Sequence, residues 1–109
     1  MNIINFEDGD KTLRIRKEKF GCVISDGTMY AEGNSLAFDI LNNLNNGYSL
    51  DEIIEYIHKE LNVDKVQVIK DAHNFFVETY EQTKWFGSYK KEMEFIRKQS
   101  GNMPWDGLK

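Results

Sequence analysis

The sequence predicts an α+β protein in which a three-stranded antiparallel sheet packs on three helices and a helical tail follows. Segments with alternating apolar and polar residues, typical of half-buried strands, come first, and segments with helical apolar spacing come after them. A run of strands followed by a run of helices is typical of α+β proteins. Three short strands cannot bury both of their faces, so we expect the helices to cover one face.

The first two predicted strands follow a polar lead-in at residues 1–11. In the segment TLRIRKE, Leu13 and Ile15 point to one face and two arginines point to the other. The second strand runs from Lys19 to Ser25. Its apolar face is expected to carry Phe20, Cys22 and Ile24.

The third predicted strand, Thr28 to Glu32, follows a tight turn. Asp26-Gly27 between two apolar runs is a strong hairpin signal, because this dipeptide tolerates positive φ angles. The third strand contains neither proline nor lysine, so nothing on it opposes pairing with a further strand. The sequence therefore predicts an exposed sheet edge.

Local signals place the ends of the helices. Asn34 or Ser35 can cap the first helix, which should stop at the Asn45-Asn46-Gly47 break. Ser49 and Glu52 fit a capping box at the start of the second helix.

The third predicted helix is long, from about Lys65 to about Lys84, with Asp64 as its cap and an apolar arc wider than one stripe requires. Tyr89 to Lys98 also has helical potential. We expect a domain at residues 1–87 and a C-terminal extension at 88–109 that is helical or partly disordered.

Composition excludes several classes of protein. The chain has 109 residues and a formal net charge of −4, with both signs of charge mixed along it, which argues against a nucleic-acid-binding protein with a basic face. No apolar run approaches the roughly 18 residues that span a bilayer, and the N-terminal residues do not resemble a signal peptide. We therefore expect a cytoplasmic protein that does not enter the membrane.

The residue types that carry catalysis are sparse. Cys22, the one cysteine, lies on an apolar strand face and is expected to be buried. His58 and His73 lie on separate helices without neighbours at metal-ligand spacing, and no phosphate-binding glycine loop is present. We expect no enzymatic activity, no metal and no cofactor. An exposed strand beside an apolar helix instead favours a docking site for an extended peptide.

The stretch from Leu13 to Phe86 resembles the PqqD-like family, the recognition elements for precursors of ribosomally synthesised and post-translationally modified peptides. The resemblance lies in a hairpin running into EGNSLAFDILNNL, then the helix YSLDEIIEYI, then a long helix. Asn34-Ser35 and Gly47 match the family pattern. The aromatic pair Phe75-Phe76 and the ending TKWF depart from it, and the residues after Gly87 lie outside it.

The resemblance implies a winged helix-turn-helix-like fold without catalysis. It implies that the protein captures the leader segment of a precursor peptide and presents the precursor to a modifying enzyme, often a radical S-adenosylmethionine maturase. By position, the leader would pair with the third strand and lie against the long helix. The peptide-binding residues implied in this way are Thr28, Met29, Tyr30, Ala31, Glu32, Val66, Ile69, Lys70 and His73.

Two other functions stay open. A winged-helix DNA-binding regulator would read DNA with the long helix, whose lysines and polar residues are mixed with Asp71, Glu78 and Glu81. In an oligomerisation domain, the open strand edge would pair with a second copy of the chain.

Overall fold

The structure, a computed structural model, describes residues 3–99 and contains four strands followed by four helices. The α+β class and the antiparallel sheet are confirmed, whereas the predicted count of three strands and three helices is wrong. The elements are β1 (Ile3–Asp8), β2 (Lys11–Glu18), β3 (Gly21–Ser25), β4 (Tyr30–Asn34), α1 (Ser35–Asn45), α2 (Leu50–Glu60), α3 (Lys65–Thr83) and α4 (Gly87–Gln99).

The sheet is a meander with the strand order β1-β2-β3-β4, and every neighbouring pair is antiparallel. Since successive side chains alternate between the faces of a sheet, one face can join the core while the other faces outward. The buried residues of the sheet's core side are Phe6, Leu13, Ile15, Cys22, Ile24 and Ala31.

Three strand predictions are corrected. Residues 3–8 are not a polar lead-in but the edge strand β1, because Phe6 is buried opposite Leu13. Phe20 does not share the apolar face of Cys22, since it lies in the turn between β2 and β3 and is 53% exposed. The fourth strand begins at Tyr30 rather than Thr28, because residues 26–29 form the turn.

The predicted helix starts are confirmed by their caps. The Asn34 side chain accepts from the Ala37 N–H, and Asp64 accepts from the Val66 N–H. Ser49 and Glu52 form the reciprocal capping box. These bonds satisfy backbone donors that have no partner inside the helix.

An aromatic cluster packs β1, α3 and the start of α4 against one another. We call it the aromatic seam; its rings are those of Phe6, Phe76, Phe86 and Tyr89, with contacting centroids 5.5–6.4 Å apart. The chain reverses between α3 and α4 through positive φ angles at Lys84 and Phe86. The Phe86 N–H donates to Asp8 Oδ2 at 2.9 Å, which ties this reversal to β1.

Helix α4 packs against α3 and adds Met93 and Ile96 to the core. The division at residue 87 stays a prediction, and residues 100–109 of the expected extension lie outside the described residues. Within residues 3–99, no helix combines the length and apolar character needed to cross a membrane.

Candidate peptide-binding groove

Strand β4 is the outer strand at one edge of the described sheet, and its hydrogen-bond pattern shows which backbone groups face outward. The Asp26 N–H donates to the Met29 carbonyl at 3.2 Å, so this pair is hydrogen-bonded. In an antiparallel ladder, bonded and non-bonded pairs alternate. Ile24 opposite Ala31 is then the next bonded pair. The N–H and C=O groups of Tyr30 and Glu32 therefore point away from β3, along the free edge.

Gly33 allows α3 to lie close to this edge. A Cβ atom at Gly33 would lie 2.8 Å from the Ala37 Cβ, 3.2 Å from the Phe75 ring and 3.2 Å from the Cys22 sulfur. Contacts this short are not available to a larger residue without displacement of a neighbour. The glycine thus lets Phe75 pack directly over the backbone of β4.

The side of α3 that faces β4 carries a regular set of residues. Asp71, Asn74, Phe75 and Glu78 follow the i, i+3, i+4, i+7 spacing of one helix face. Together with Glu32–Asn34 they line a depression of about 290 Å³, which we call the β4–α3 groove. It places a free strand edge beside a helix wall.

The groove is acidic. Its ionisable lining residues are Glu32, Asp71 and Glu78, and the described lining contains no lysine or arginine. Asp71 Oδ1 accepts from the Gln67 side-chain amide at 2.8 Å, so a neutral donor holds this carboxylate in place. The salt bridges found among residues 3–99 do not include these three carboxylates.

The predicted strand residues fall into three environments. Thr28 and Met29 lie in the turn, where the Asp26 carboxylate accepts from both of their N–H groups. Tyr30 is 73% exposed, whereas Ala31 is buried in the core. Glu32 lies in the groove lining. Of these residues, Tyr30 and Glu32 have the outward backbone groups that a docking strand needs.

The α3 residues that the resemblance implies for peptide binding do not line the groove. Ile69 is 1% exposed and belongs to the core, and Val66 packs against that core. Lys70 and His73 instead line a separate depression of about 220 Å³ with Asn74 and Arg97, here called the α3–α4 pocket. Burial, and next the charge of Arg97, lower the pKa of His73.

The groove wall therefore lies on a different part of the α3 surface from the one expected. Asp71, Asn74, Phe75 and Glu78 were not predicted as site residues. One signal was available in the sequence: Phe75 lies at the margin of the apolar arc, beside polar residues at i−4, i−1 and i+3. An aromatic residue in such a setting is typical of a binding surface as well as of a core edge.

Cys22 and His58, two of the residue types considered for catalysis, lie in surroundings that fit a structural role. Burial raises the pKa of the Cys22 thiol to about 11, which keeps it protonated near neutral pH and unreactive as a nucleophile. His58 Nδ1 lies 2.6 Å from the Val63 carbonyl oxygen, which links α2 to the start of α3. Among residues 3–99, no group of three or more His, Cys, Asp or Glu side chains is arranged to hold a metal ion.

The charges of α3 bear on the DNA-binding alternative. The Lys65 ammonium pairs with Glu55 at 2.7 Å, and Lys70 lies in the α3–α4 pocket. The face toward β4 is acidic. Contacts to DNA phosphates require a basic surface. Within the described residues, helix α3 presents no continuous surface of this kind.

Comparison with protein-family models, curated proteins and solved structures gives no match to this chain.

Proposed function

We propose that this protein is a peptide-binding adaptor that captures the leader segment of a ribosomally synthesised precursor peptide. It presents the precursor to a modifying enzyme, with a radical S-adenosylmethionine maturase as the expected type of partner. The observation that carries the proposal is the geometry of β4. Its outward backbone groups run beside a helix wall at a distance that leaves a groove.

The leader binds by adding a strand to the sheet. The N–H and C=O groups of Tyr30 and Glu32 bond to the leader backbone, and these bonds supply affinity that does not depend on side chains. Asn74 and Phe75 on α3 contact the leader side chains that face the helix. An amide and an aromatic ring beside a strand edge can select among those side chains.

The adaptor itself does not catalyse the modification. Its contribution is to hold the precursor close to the enzyme, which raises the effective concentration of the site to be modified. Segments of the precursor outside the leader stay free for the enzyme to reach. This division of labour fits a small domain whose one cysteine is buried and protonated.

Fluorescence anisotropy with labelled synthetic leaders tests the proposal. The leaders are the N-terminal segments of short peptides encoded beside this chain. We expect one of them to bind the intact protein. In Tyr30→Pro, affinity should fall roughly tenfold or more, because proline removes an outward N–H donor and distorts the edge.

Tyr30→Ala is the matched control, because it removes the exposed ring and keeps the backbone donor. It should bind nearly as well as the parent. Circular dichroism must show both variants folded, which we expect since the Tyr30 N–H does not bond to β3. Failure of every co-encoded leader to bind, or equal loss in the two variants, would refute leader capture by strand addition.

The alternative functions give different results in the same preparation. A winged-helix DNA-binding protein would bind duplex DNA with an affinity that falls steeply as salt rises. The free β4 edge is also open to a second copy of the chain, and sedimentation would then show a dimer. Leader binding by a monomer, without duplex binding, is the outcome that the proposed function requires.

A further inference from the structure

We infer that the β4–α3 groove takes an extended peptide segment that carries lysine or arginine side chains, and that it disfavours acidic segments. The inference rests on the proposed strand addition and deepens it, because it specifies the charge of the ligand. The backbone of β4 would accept any extended chain. Selection among segments must therefore come from the wall formed by α3 and from Glu32.

The carboxylates are spaced to contact side chains of one strand. Asp71 and Glu78 are seven residues apart on α3, which corresponds to about 10 Å along a helix axis. In an extended chain, residues on one face recur at about 7 Å intervals. Two lysines that are two or four residues apart can each reach one of the carboxylates, because their side chains are long and flexible.

The protein does not neutralise these carboxylates from its own described residues. Asp71 accepts from the neutral amide of Gln67, and the described groove lining contains no lysine or arginine. The nearby lysine of α3, Lys70, lies in the α3–α4 pocket rather than in the groove. A cationic ligand would offset the negative charge, whereas an acidic ligand would add to it.

Phe75 supports the same class of ligand. Its ring lies in the groove lining between the two carboxylates of α3. The aliphatic part of a lysine or arginine side chain can pack on such a ring while the charged end reaches a carboxylate. A cation placed over the face of an aromatic ring is also attracted to it. Both effects favour long cationic side chains over small polar ones.

Binding of three labelled peptides of equal length tests the inference. Each alternates threonine with one variable residue, which is lysine, glutamine or glutamate. Anisotropy should show that affinity falls in the order lysine, glutamine, glutamate peptide. The lysine peptide should bind at least about tenfold more tightly than the glutamate peptide, because the groove carboxylates attract lysine and repel glutamate. The preference should weaken as salt rises.

Two double variants locate the effect. Asp71→Asn with Glu78→Gln removes the two groove carboxylates of α3 and leaves Glu32, and Asp10→Asn with Glu60→Gln removes one aspartate and one glutamate charge elsewhere. Asp10 and Glu60 are exposed and lie outside the groove lining. The first pair should remove most of the preference for lysine, with Glu32 supplying what is left, whereas the second pair should keep most of it. Both double variants should unfold at nearly the same urea concentration as the parent, as expected for substitutions on the surface.

The outcomes separate this inference from the proposed function. If a co-encoded leader binds through β4 but the three peptides bind equally, or both double variants lose the preference equally, the inference is wrong and leader capture stands. If the lysine peptide binds in the groove and no leader binds, leader capture is wrong and the inference stands. Tighter binding of the glutamate peptide would overturn the inference directly.

Discussion

Two sides of α3 meet the rest of the protein in different ways. At the aromatic seam, Phe76 contacts the rings of Phe86 and Tyr89, and the junction is closed. At the β4–α3 groove, carboxylates and an amide face a strand edge, and about 290 Å³ is left open. One side of the helix is therefore packed into the core, whereas the other side lines an open depression.

Phe75 connects the two regions. Its ring contacts Phe76 at 5.1 Å and Phe86 at 6.1 Å between centroids, and it also lies in the groove lining. The seam thus fixes the position of Phe75 in the groove lining. Under the proposed function, this wall is held in place before the leader arrives, which lowers the entropy cost of binding.

The largest expected effect comes from opening the seam. Phe86 is fully buried and its ring contacts four other aromatic rings. Phe86→Ala should lower the free energy of unfolding by about 3–5 kcal/mol, because it removes buried apolar surface and leaves a cavity. Urea denaturation followed by circular dichroism measures the change.

Phe95→Ala is the control for that experiment. Phe95 is on α4, six residues after Tyr89 of the seam, but its side chain is 60% exposed. Its truncation should change the free energy of unfolding by no more than about 0.5 kcal/mol. Similar losses in the two variants would contradict the assignment of stability to the seam.

An intermediate effect is expected where the two regions touch. In Gly33→Ala the new methyl group would lie 2.8 Å from the Ala37 Cβ and 3.2 Å from Phe75. Overpacking of this kind costs about 1–3 kcal/mol. It should also displace Phe75 and weaken ligand binding in the groove. Denaturation and anisotropy together measure the two consequences.

Ala37→Gly provides a test of the cause. It removes the atom nearest to the new methyl group, so the double variant Gly33→Ala with Ala37→Gly should be more stable than the sum of the two single effects predicts. A favourable coupling above about 0.5 kcal/mol is expected for residues in contact. Strict additivity would show that the clash with α1 is not the source of the loss.

The parts of the fold that sequence predicts are those with local causes. Asn34, Ser49 and Asp64 cap helices through bonds to residues two or three positions away, so their patterns are visible in the chain itself. Cys22 was expected to be buried because it lies on the apolar face of a predicted strand with Ile24, and the structure buries both. Such features need no knowledge of distant partners.

The parts that sequence does not predict depend on distant partners. Strand β1 looks polar because only Phe6 of its residues is buried, and that burial depends on Phe86 and Tyr89 across the molecule. The apolar arc of α3 is wide, so helical spacing alone leaves open which residues face β4. The glycine at position 33 decides this, because it lets Phe75 approach the strand.

The smallest expected effect concerns the turn that leads into β4, where the stabilisation is electrostatic rather than aromatic. The N–H groups of Met29 and Thr28 donate to the Asp26 carboxylate and lower its pKa from 3.8 to about 2. Because this pKa is lower in the folded state, the stabilisation is present above about pH 4 and is lost as the pH falls toward 2.

Asp26→Asn should therefore have a lower free energy of unfolding than the parent near neutral pH, and this difference should shrink as the pH falls from about 4 toward 2. Urea midpoints of the two proteins at a series of pH values measure it. A difference that does not change with pH would show that the charge of Asp26 does not stabilise the turn. Packing and neutral hydrogen bonds would then be what stabilises the edge of the groove, as packing stabilises the seam.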